Sequence, residues 1–347
     1  MEVWQHSLQQ AIDDPTELAE LLAVDAAPLL KVARHYPLRI SRYYLDLIEA
    51  PGDPIWLQSV PDEQELSDPT VFADPLDEAR LSPTPAVVHR YPDRVLLLAG
   101  GDCATYCRFC TRKRKLGCSS MKVSEAELAS GIDYIADHPE VRDVLLSGGD
   151  PLLLEDDQLE AILLRLRAIP HVEMVRIGSR LPVTLPERIT DNLCKLLRCF
   201  PPLYLNTHFN HPRELTPQAA AACSKLAHAG IVLGNQTVLL RGVNDSADTL
   251  ASLWRGLLRL RVRPYYLHHM DLVRGTGHFR TLIETGLGIL QELRGPLSGM
   301  ALPHYVIDSP GGRGKIPLQP EYLLGLGDQA RLRTPGGEIL EFPNKLT

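Results

Sequence analysis

The chain has 347 residues, of which 44% are hydrophobic and 23% charged, and its 36 basic and 43 acidic residues give a net charge of −7. This composition is typical of a globular enzyme with one large or two medium-sized domains, and it excludes disorder as the main state. No run of about 18 apolar residues is present, so no transmembrane helix is expected. The negative net charge argues against general binding to nucleic acid.

The amino terminus, MEVWQHSLQQAIDD, has neither a basic start nor an apolar stretch, so no secretory signal is expected. The chain has seven cysteines, an odd number, which we expect to be reduced or bound to metal rather than paired in disulfides. Together these features predict a cytoplasmic protein.

Residues 1–50 are predicted to form short helices, because leucines recur at helical spacing in PTELAELLAVDAAPLLKVA. Residues 51–85 are rich in proline and aspartate and are predicted to form an ordered but irregular arm. After this arm, short apolar runs alternate with segments of helical periodicity. The runs predicted to be strands lie near 94–100, 143–149, 174–179, 203–209, 232–240 and 264–270.

Helical segments lie between these strands, and two of them begin with recognisable caps: Ser124 with Glu127, and Thr216 with Pro217. Alternating buried strands and helices predict a parallel α/β sheet. We predict a partial, open TIM-like βα barrel of about six parallel strands, with a doubly wound sheet as the alternative. The predicted divisions are an N-terminal helical region with its arm (1–90), the barrel (91–300) and a short C-terminal segment (301–347). Functional residues should then lie at the carboxyl ends of the strands.

Three cysteines follow the first predicted strand, in the string GGDCATYCRFCTRKRK. Cys103, Cys107 and Cys110 have the spacing C-x3-C-x2-C, so three thiolates on one loop can face a single metal site. Structural zinc sites and closed iron–sulfur clusters normally use four protein ligands. Three cysteines therefore leave one iron of a cubane open to a small molecule. A zinc knuckle completed by Cys118 or a histidine is the alternative.

Two glycine-containing strings also follow strands. Residues 147–151 (SGGDP) end the second strand, and glycines there allow the backbone to approach a ligand closely. Lys315 follows a glycine-rich turn in VIDSPGGRGK. A phosphate-binding P-loop is rejected, because Ser309 and Ile316 replace its first glycine and its hydroxyl residue. Lys315 is then either an exposed surface residue or a lysine that forms an imine with an aldehyde cofactor such as pyridoxal 5′-phosphate (PLP).

The cysteine spacing resembles that of radical S-adenosylmethionine (SAM) enzymes. Several strings narrow the resemblance to the lysine 2,3-aminomutases over roughly residues 35–345, among them CATYCRFCTRKR, RIGSRLPVTLPERI, LNTHFNHP, NQTVLLRGVND, RVRPYYLHHMDL and VIDSPGGRGK. The resemblance implies a 4Fe-4S cluster on the three cysteines, with SAM at the open iron. The residues expected near SAM are Gly148, Gly149 and Asp150, from a GGE-type motif, and His208 in a polar role.

By the same resemblance Lys315 carries PLP, and Arg90 and Tyr91 lie in the region of its phosphate. Arg112 binds the α-carboxylate of the substrate, and Asp271 and Asp308 hold its distal ammonium. A guanidinium suits a carboxylate because it can form two parallel hydrogen bonds, and a buried ammonium requires opposite charge. The two aspartates would repel the distal carboxylate of glutamate.

The resemblance therefore implies a lysine 2,3-aminomutase, an isomerase. It would interconvert L-lysine and β-lysine by means of a 5′-deoxyadenosyl radical and a PLP-aided 1,2-amino migration. The expected partners are L-lysine, an electron donor such as flavodoxin or ferredoxin, and further copies of the chain in a homo-oligomer.

This chain departs from longer, clostridial-type lysine mutases, which continue with a C-terminal cysteine cluster that binds zinc. Here 32 residues follow Lys315, none of them cysteine, and Ser246 stands where those enzymes have another zinc ligand, so zinc is expected to be absent. The compact length resembles enzymes that make (R)-β-lysine for elongation factor P, although well-known members of that branch lack the counterpart of Asp308. There are three alternatives: an aminomutase that supplies β-lysine to the elongation factor P pathway, an enzyme of another radical SAM reaction such as modification of a macromolecule, or a non-enzymatic zinc protein.

Overall fold

The computed structural model describes residues 2–68, 72–118 and 122–345. Short helices form the N-terminal region, as predicted: α1 (Val3–Gln9), α2 (Pro15–Leu22), α3 (Ala26–Ala33), α4 (Arg42–Leu45) and α5 (Pro54–Ser59). The last of these lies in the arm that was predicted to be irregular. Asp53 accepts hydrogen bonds from the N–H groups of Ile55 and Trp56, and Pro54 takes the first helical position. The Asp-Pro pair therefore starts a helix rather than preventing one. Residues 69–71 of the arm lie outside the described residues.

A nine-stranded sheet forms the centre of the molecule, and its strand order follows the chain order. Its strands are β1 (Val87–Tyr91), β2 (Arg94–Gly100), β3 (Asp143–Gly148), β4 (Met174–Gly178), β5 (Leu203–Thr207), β6 (Val232–Leu239), β7 (Arg263–His269), β8 (His304–Asp308) and β9 (Lys315–Leu318). Strands β2 to β8 are all parallel, whereas β1 and β9 pair antiparallel at the two edges. The predicted partial barrel is confirmed, with seven parallel strands rather than about six.

Helices connect successive parallel strands. They are α6 (Glu125–Ala136), α7 (Asp156–Arg167), α8 (Leu181–Thr184), α9 (Asp191–Leu197), α10 (Pro217–His228), α11 (Ala247–Arg259) and α12 (Ile283–Leu293). Both predicted caps are present, since Ser124 and Thr216 accept hydrogen bonds from the N–H groups of Glu127 and Ala219. Because βαβ connections are right-handed and every strand lies beside its predecessor, these helices cover one face of the sheet.

One continuous core joins the sheet, its helices and the N-terminal region. It contains Trp254 of α11, inward residues such as Leu97 of β2, and Trp4 and Tyr44 of the N-terminal helices, all almost completely buried. The N-terminal helices therefore belong to the same folded unit as the barrel. No helix in the described part of the chain is long and apolar enough to cross a membrane.

Side chains bridge the two edges of the curved sheet. The backbone N–H of Lys315, on β9, donates to the hydroxyl of Tyr91, on β1, at 3.0 Å. Beside this contact, Arg90 of β1 donates through Nη1 to Oδ1 of Asp308, at the end of β8, at 2.8 Å. The barrel is thus open in its backbone pairing, while these contacts bring both edges to one cavity.

A separate antiparallel sheet follows the barrel and consists of β10 (Leu323–Gly325), β11 (Gln329–Arg333) and β12 (Ile339–Pro343). It carries several exposed apolar side chains: those of Leu323, Ile339, Leu340 and Phe342, with Leu326 beside them. This small sheet leaves apolar surface uncovered in the single chain.

The glycines of the SGGDP string are required by the approach of one backbone segment to another. A Cβ on Gly148 would lie 2.1 Å from the carbonyl oxygen of Gly100, and one on Gly149 would lie 2.3 Å from that of Asp102. The N–H groups of Gly149 and Asp150 donate to these same oxygens, each at 2.7 Å. The sequence predicts that these glycines allow the backbone to approach a ligand. The close approach in the structure is to the segment that leads into Cys103.

Replacing Gly149 by alanine should destabilise the fold, because the backbone of the cysteine loop would have to move to accommodate the Cβ. We expect the free energy of unfolding to fall by about 1–3 kcal/mol, as in other overpacked sites. Gly288→Ala is the matched control, since nothing lies within 4 Å of its Cβ position on α12, and alanine should stabilise that helix by up to about 1 kcal/mol. Urea denaturation of both variants checks this. Equal stability of the two variants would contradict it.

Candidate active site

A cavity of about 570 Å³ lies along one face of the sheet, reaches the carboxyl ends of the parallel strands and collects most of the predicted site residues. Those that line it are Arg90, Tyr91, Arg112, His208, Asp271, Asp308 and Lys315. The three cysteines and the Gly148–Gly149–Asp150 string belong to adjoining loops and do not line this cavity. Residues far apart in the chain thus share one space, as expected for this fold.

Asp308 is the most densely bonded carboxylate of the cavity. Lys315 Nζ lies 2.7 and 2.9 Å from its two oxygens, Arg90 donates to one of them, and His268 Nδ1 lies 3.3 Å from the other. Burial alone would raise the pKa of Asp308, but the hydrogen bond from His268 and the charge of Lys315 hold it well below its ordinary value. Asp308 is therefore ionised, and it binds a primary ammonium group in this structure.

Asp271 follows β7 and faces the same charges. Burial, followed by the negative charge of Asp308, raises its pKa to about 7, against the opposing effects of Lys315 and Arg90. A second cation beside these two carboxylates would lower this pKa by offsetting their repulsion. The pair therefore suits a ligand that brings a positive charge.

Arg90 has spare donors in the cavity. Its Nη1 binds Asp308, while its buried Nε and Nη2 have no partner among the described residues. Buried donors are normally satisfied, so these two indicate an acceptor-rich ligand. Arg94 and Tyr91 line the cavity nearby, and an anionic group there would complete the bonding of Arg90.

The three cysteines lie on a loop that follows β2, and they are close enough to influence one another. Burial, followed by the charges of Asp150 and the other two cysteines, raises the pKa of the Cys103 thiol well above its ordinary value. Burial and the neighbouring Cys107 raise the pKa of Cys110 to about 11. A bound cation reverses this effect and stabilises thiolates. In the described ranges no group of three or more metal-ligating side chains has the arrangement of a metal site. The fit to a metal cluster therefore rests on the burial of the three thiols and on their influence on one another's pKa.

Arg180 connects the cysteine loop to four other parts of the fold. Its Nη1 donates to the sulfur of Cys107 at 2.7 Å, and its Nη2 donates to Tyr44, Gln58 and Glu214. Its backbone N–H donates to the carboxylate of Asp150, also at 2.7 Å. Asp150 is buried and held by backbone donors, so the structure gives it a role in orienting Arg180 and the loop.

A buried ion triad of Glu65, Arg108 and Lys113 fastens the same loop to the N-terminal region. Glu65 lies 2.5 Å from Arg108 and 2.6 Å from Lys113, and all three side chains are at most 1% exposed. Lys113 also donates to the carbonyl of Gly275, in the segment after Asp271. Burial lowers the pKa of Lys113 to about 8, although Glu65 opposes the shift. Although it lies in the basic run Arg112–Lys115, Lys113 is therefore a buried structural residue.

Arg112 lines the cavity and is held by a residue from the arm. Glu78 accepts from its Nη2 and Nε at 2.8 and 3.1 Å, and its Nη1 donates to the carbonyl of Gly148. His208 packs its ring against Phe109 of the cysteine loop, with 5.5 Å between centroids, and its buried Nε2 has no partner in the described part of the chain. His208 therefore has a free nitrogen for a polar ligand, whereas Glu78, Ser147 and Gly148 already use four of the five N–H donors of Arg112.

Four important residues were missed by the sequence reasoning: Glu65, Glu78, Arg180 and His268. The first two lie in or beside the Pro/Asp-rich arm, where no local pattern announces a long-range ion pair. Arg180 and His268 lie in strings that the resemblance includes, RIGSRLP and YYLHHMDL, but their partners are brought to them only by the fold. Strand alternation could have suggested that one of the paired histidines at the end of β7 faces inward.

Known proteins resemble this chain over most of its length. A family model described as Lysine-2,3-aminomutase matches residues 290–344, and one described as Radical SAM superfamily matches residues 98–253. The L-lysine 2,3-aminomutase of Fusobacterium nucleatum is 48% identical over 91% of this chain and 75% of its own length. The Glutamate 2,3-aminomutase of Clostridioides difficile is 43% identical over 99% of this chain and 82% of its own. The L-lysine 2,3-aminomutase of Escherichia coli is 37% identical over 91% and 94%.

Removing the carboxylate of Glu65 should strongly destabilise the chain, because two buried cations would lose their counter-ion. We expect Glu65→Ala to lower the free energy of unfolding by about 3–5 kcal/mol. Glu63→Ala is the control, since Glu63 forms an exposed ion pair with Lys31 whose loss should cost less than about 1 kcal/mol. Urea denaturation measures both. A loss for Glu65→Ala no larger than that of the control would contradict the role given to the triad.

Proposed function

This chain belongs to the lysine 2,3-aminomutase family of the radical SAM superfamily, and we propose that it interconverts L-lysine and β-lysine. Members of this family are isomerases, and their cofactors are a 4Fe-4S cluster, SAM and PLP. When bound, the cluster and SAM supply a 5′-deoxyadenosyl radical that removes hydrogen from the substrate, while PLP allows the amino group to move between adjacent carbons.

The observation that carries the choice of lysine is the pairing of Lys315 with Asp308. The side chain of Lys315 ends in the same primary ammonium as the substrate, and Asp308 binds it inside the cavity at 2.7 Å. Family membership alone leaves the substrate open, because a glutamate aminomutase is among the relatives. A distal carboxylate would face Asp271 and Asp308, two carboxylates that already repel each other. A distal ammonium relieves that repulsion.

The α-carboxylate of the substrate is assigned to Arg112. Its guanidinium lines the cavity, and Glu78 and the Gly148 carbonyl hold it in one orientation. Glu78, Ser147 and Gly148 use four of its five N–H donors, so Arg112 offers a carboxylate its positive charge and the remaining Nη2 N–H. With Asp271 and Asp308 also in the cavity, both charged ends of lysine would be held while the carbons between them react.

For PLP we propose Lys315 as the covalent attachment and Arg90 with Tyr91 as the phosphate region. The unpartnered Nε and Nη2 of Arg90 support this, since a phosphate supplies the acceptors that they lack. Attachment of Lys315 to PLP would also release Asp308 from the Lys315 ammonium and make it available to the substrate.

For the cluster we propose Cys103, Cys107 and Cys110, and for SAM the neighbourhood of Gly148, Gly149, Asp150 and His208. The position of His208 against Phe109, with a buried and unpartnered Nε2, supports its polar role. Gly149 and Asp150 already hold the cysteine loop through backbone hydrogen bonds. Any contact that they make with SAM would add to this structural role.

We further propose a homo-oligomer, a flavodoxin or ferredoxin as electron donor, and a cytoplasmic location. Exposed apolar side chains on the β10–β12 sheet support association of copies, because contiguous apolar surface usually marks an interface.

A cluster that must be reduced by one electron requires a low-potential donor, and such donors and reduced cysteines are found in the cytoplasm.

Anaerobically reconstituted protein should convert L-lysine to β-lysine in the presence of SAM and a reductant. Borohydride treatment followed by peptide mass spectrometry should find PLP fixed on the peptide that contains Lys315. Lys315→Ala should abolish both turnover and labelling, whereas Lys225→Ala, at an exposed residue of α10, should retain both. Labelling of a different lysine, or full activity of Lys315→Ala, would disprove the assignment.

The affinity for lysine should depend on pH through Asp271, whose pKa is raised to about 7 by burial and by Asp308. Below this pH Asp271 is largely protonated and neutral, while the distal ammonium of lysine stays charged up to about pH 10. Attachment of PLP removes the Lys315 charge that lowers this pKa, so the KM for L-lysine should fall by at least about tenfold between pH 6 and pH 8 as Asp271 ionises.

Steady-state kinetics of the wild type and of Asp271→Asn test this dependence. The asparagine variant should show a higher KM that changes little over the same range. A wild-type KM that is flat with pH, or that rises, would argue against Asp271 as an ammonium ligand.

A further inference from the structure

Arg180 places a buried cation directly against a sulfur of the cysteine loop. Its Nη1 donates to Sγ of Cys107 at 2.7 Å, and the residue is 9% exposed. The carbon at the centre of its guanidinium also lies 5.3 Å from the ring centroid of Phe109, two residues after Cys107 on the same loop. A charged donor this close to a sulfur affects the energy of any negative charge that the sulfur carries.

The guanidinium of Arg180 is held in place by groups from other parts of the fold. Its Nη2 donates to Tyr44, Gln58 and Glu214 at 3.0, 2.7 and 2.9 Å, and its Nε donates to the carbonyl of His208 at 3.2 Å. The side chain of Glu214 is completely buried. An arginine does not lose its proton in proteins. The cation beside Cys107 is therefore permanent, and its orientation does not depend on the loop.

The other two cysteines have different surroundings. Burial, followed by the negative charge of Asp150, raises the pKa of the Cys103 thiol. Burial and the neighbouring Cys107 raise the pKa of Cys110, and a hydrogen bond from the backbone N–H of Arg112 opposes them. Cys107 differs from both, because a side-chain cation contacts its sulfur. The three sulfurs therefore offer a cluster one position at which added negative charge is directly compensated.

A cation at this position would affect the reduction of a bound cluster. Hydrogen bonds to the ligand sulfurs and nearby charges are among the factors that set the reduction potential of iron–sulfur clusters. Reduction adds one electron and makes the cluster and its thiolates more negative. A fixed cation stabilises this reduced form more than the oxidised form, and burial leaves its charge weakly screened. The expected effect is a higher reduction potential.

We propose that Arg180 is a positioning residue for the electron-transfer step: it donates through Nη1 to the thiolate of Cys107 and thereby raises the reduction potential of the 4Fe-4S cluster. This inference rests on the proposed cluster ligands. In the step concerned, a reduced flavodoxin or ferredoxin loses one electron and the cluster gains it, and no covalent bond forms or breaks. Arg180 makes this transfer more favourable without taking part in it covalently.

Potentiometric titration of the reconstituted cluster, followed by electron paramagnetic resonance without SAM or PLP, tests this effect apart from turnover. Arg180→Lys keeps a cation for Glu214 and lacks the Nη1 donor. The equilibrium constant for its one-electron reduction should fall about tenfold, which lowers the midpoint potential by about 59 mV. A potential equal to or above that of the wild type would overturn the proposal.

Arg188→Lys is the matched control for this titration. Arg188 is also completely buried, and its Nη2 donates to the carboxylate of Asp156 at 2.7 Å. The variant therefore disturbs a buried arginine–carboxylate pair that does not include the cysteine loop, and its potential should equal that of the wild type. Iron analysis and thermal melting verify that each protein is folded and holds its cluster. A fall in Arg188→Lys as large as that in Arg180→Lys would show a general effect of lost stability and contradict the proposal.

A spectroscopic measurement on the wild type needs no variant to fold. Pulsed electron paramagnetic resonance of the reduced cluster should detect nitrogen-15 in protein made with arginine that is labelled only in its guanidino group. This label avoids the backbone nitrogen of Arg112, which also donates to a cysteine sulfur. Absence of a nitrogen-15 coupling in the wild type would overturn the contact, and so would a coupling that Arg180→Lys retains.

The outcomes separate this inference from the function on which it rests. Wild-type protein that holds the cluster and isomerises lysine, with no nitrogen-15 coupling and no change of potential in Arg180→Lys, overturns the role of Arg180 alone. Wild-type protein that assembles no cluster on Cys103, Cys107 and Cys110 overturns the proposed function and this inference with it.

Discussion

The carboxylate of Asp308 is the interaction around which the rest of the site is arranged. It ends β8, receives Lys315 from β9 and Arg90 from β1, and is steadied by His268 from β7. Because β1 and β9 are the two edges of the sheet, this group, together with the hydrogen bond from the Lys315 N–H to Tyr91, joins the edges of an otherwise open barrel at the cavity. Its three cationic or polar partners keep it ionised despite burial, so it can act as a counter-ion for whichever ammonium occupies the cavity.

A second set of contacts links the cysteine loop to the rest of the fold. The cysteine loop is fastened by backbone bonds to the end of β3, by Arg180 to the N-terminal helices, and by the Glu65 triad to the segment beyond Asp271. The side chains of the Glu65 triad are almost completely buried. The N-terminal region therefore holds the cysteine loop in a fixed position relative to the segment that follows Asp271.

Much of this fold could be predicted from the sequence, because its parallel strands are short apolar runs that alternate with segments of helical periodicity. Six of them lie within one or two residues of their predicted positions. The edge strands β1 and β9 were missed, since VVHRY and KIPL are short, partly exposed and without a regular pattern. In the site, spacing indicated the cysteines and resemblance indicated Lys315 and the aspartates. Glu65 and Glu78 pair with arginines 43 and 34 residues away, and no local signal encodes such pairs.

A competition experiment tests the central claim, that paired carboxylates select a substrate with a distal ammonium. Reconstituted enzyme would receive equimolar carbon-13-labelled L-lysine and L-glutamate in one reaction with SAM and a reductant, followed by nuclear magnetic resonance of the products. The account predicts β-lysine without detectable β-glutamate. Formation of β-glutamate in comparable or greater amount would contradict it.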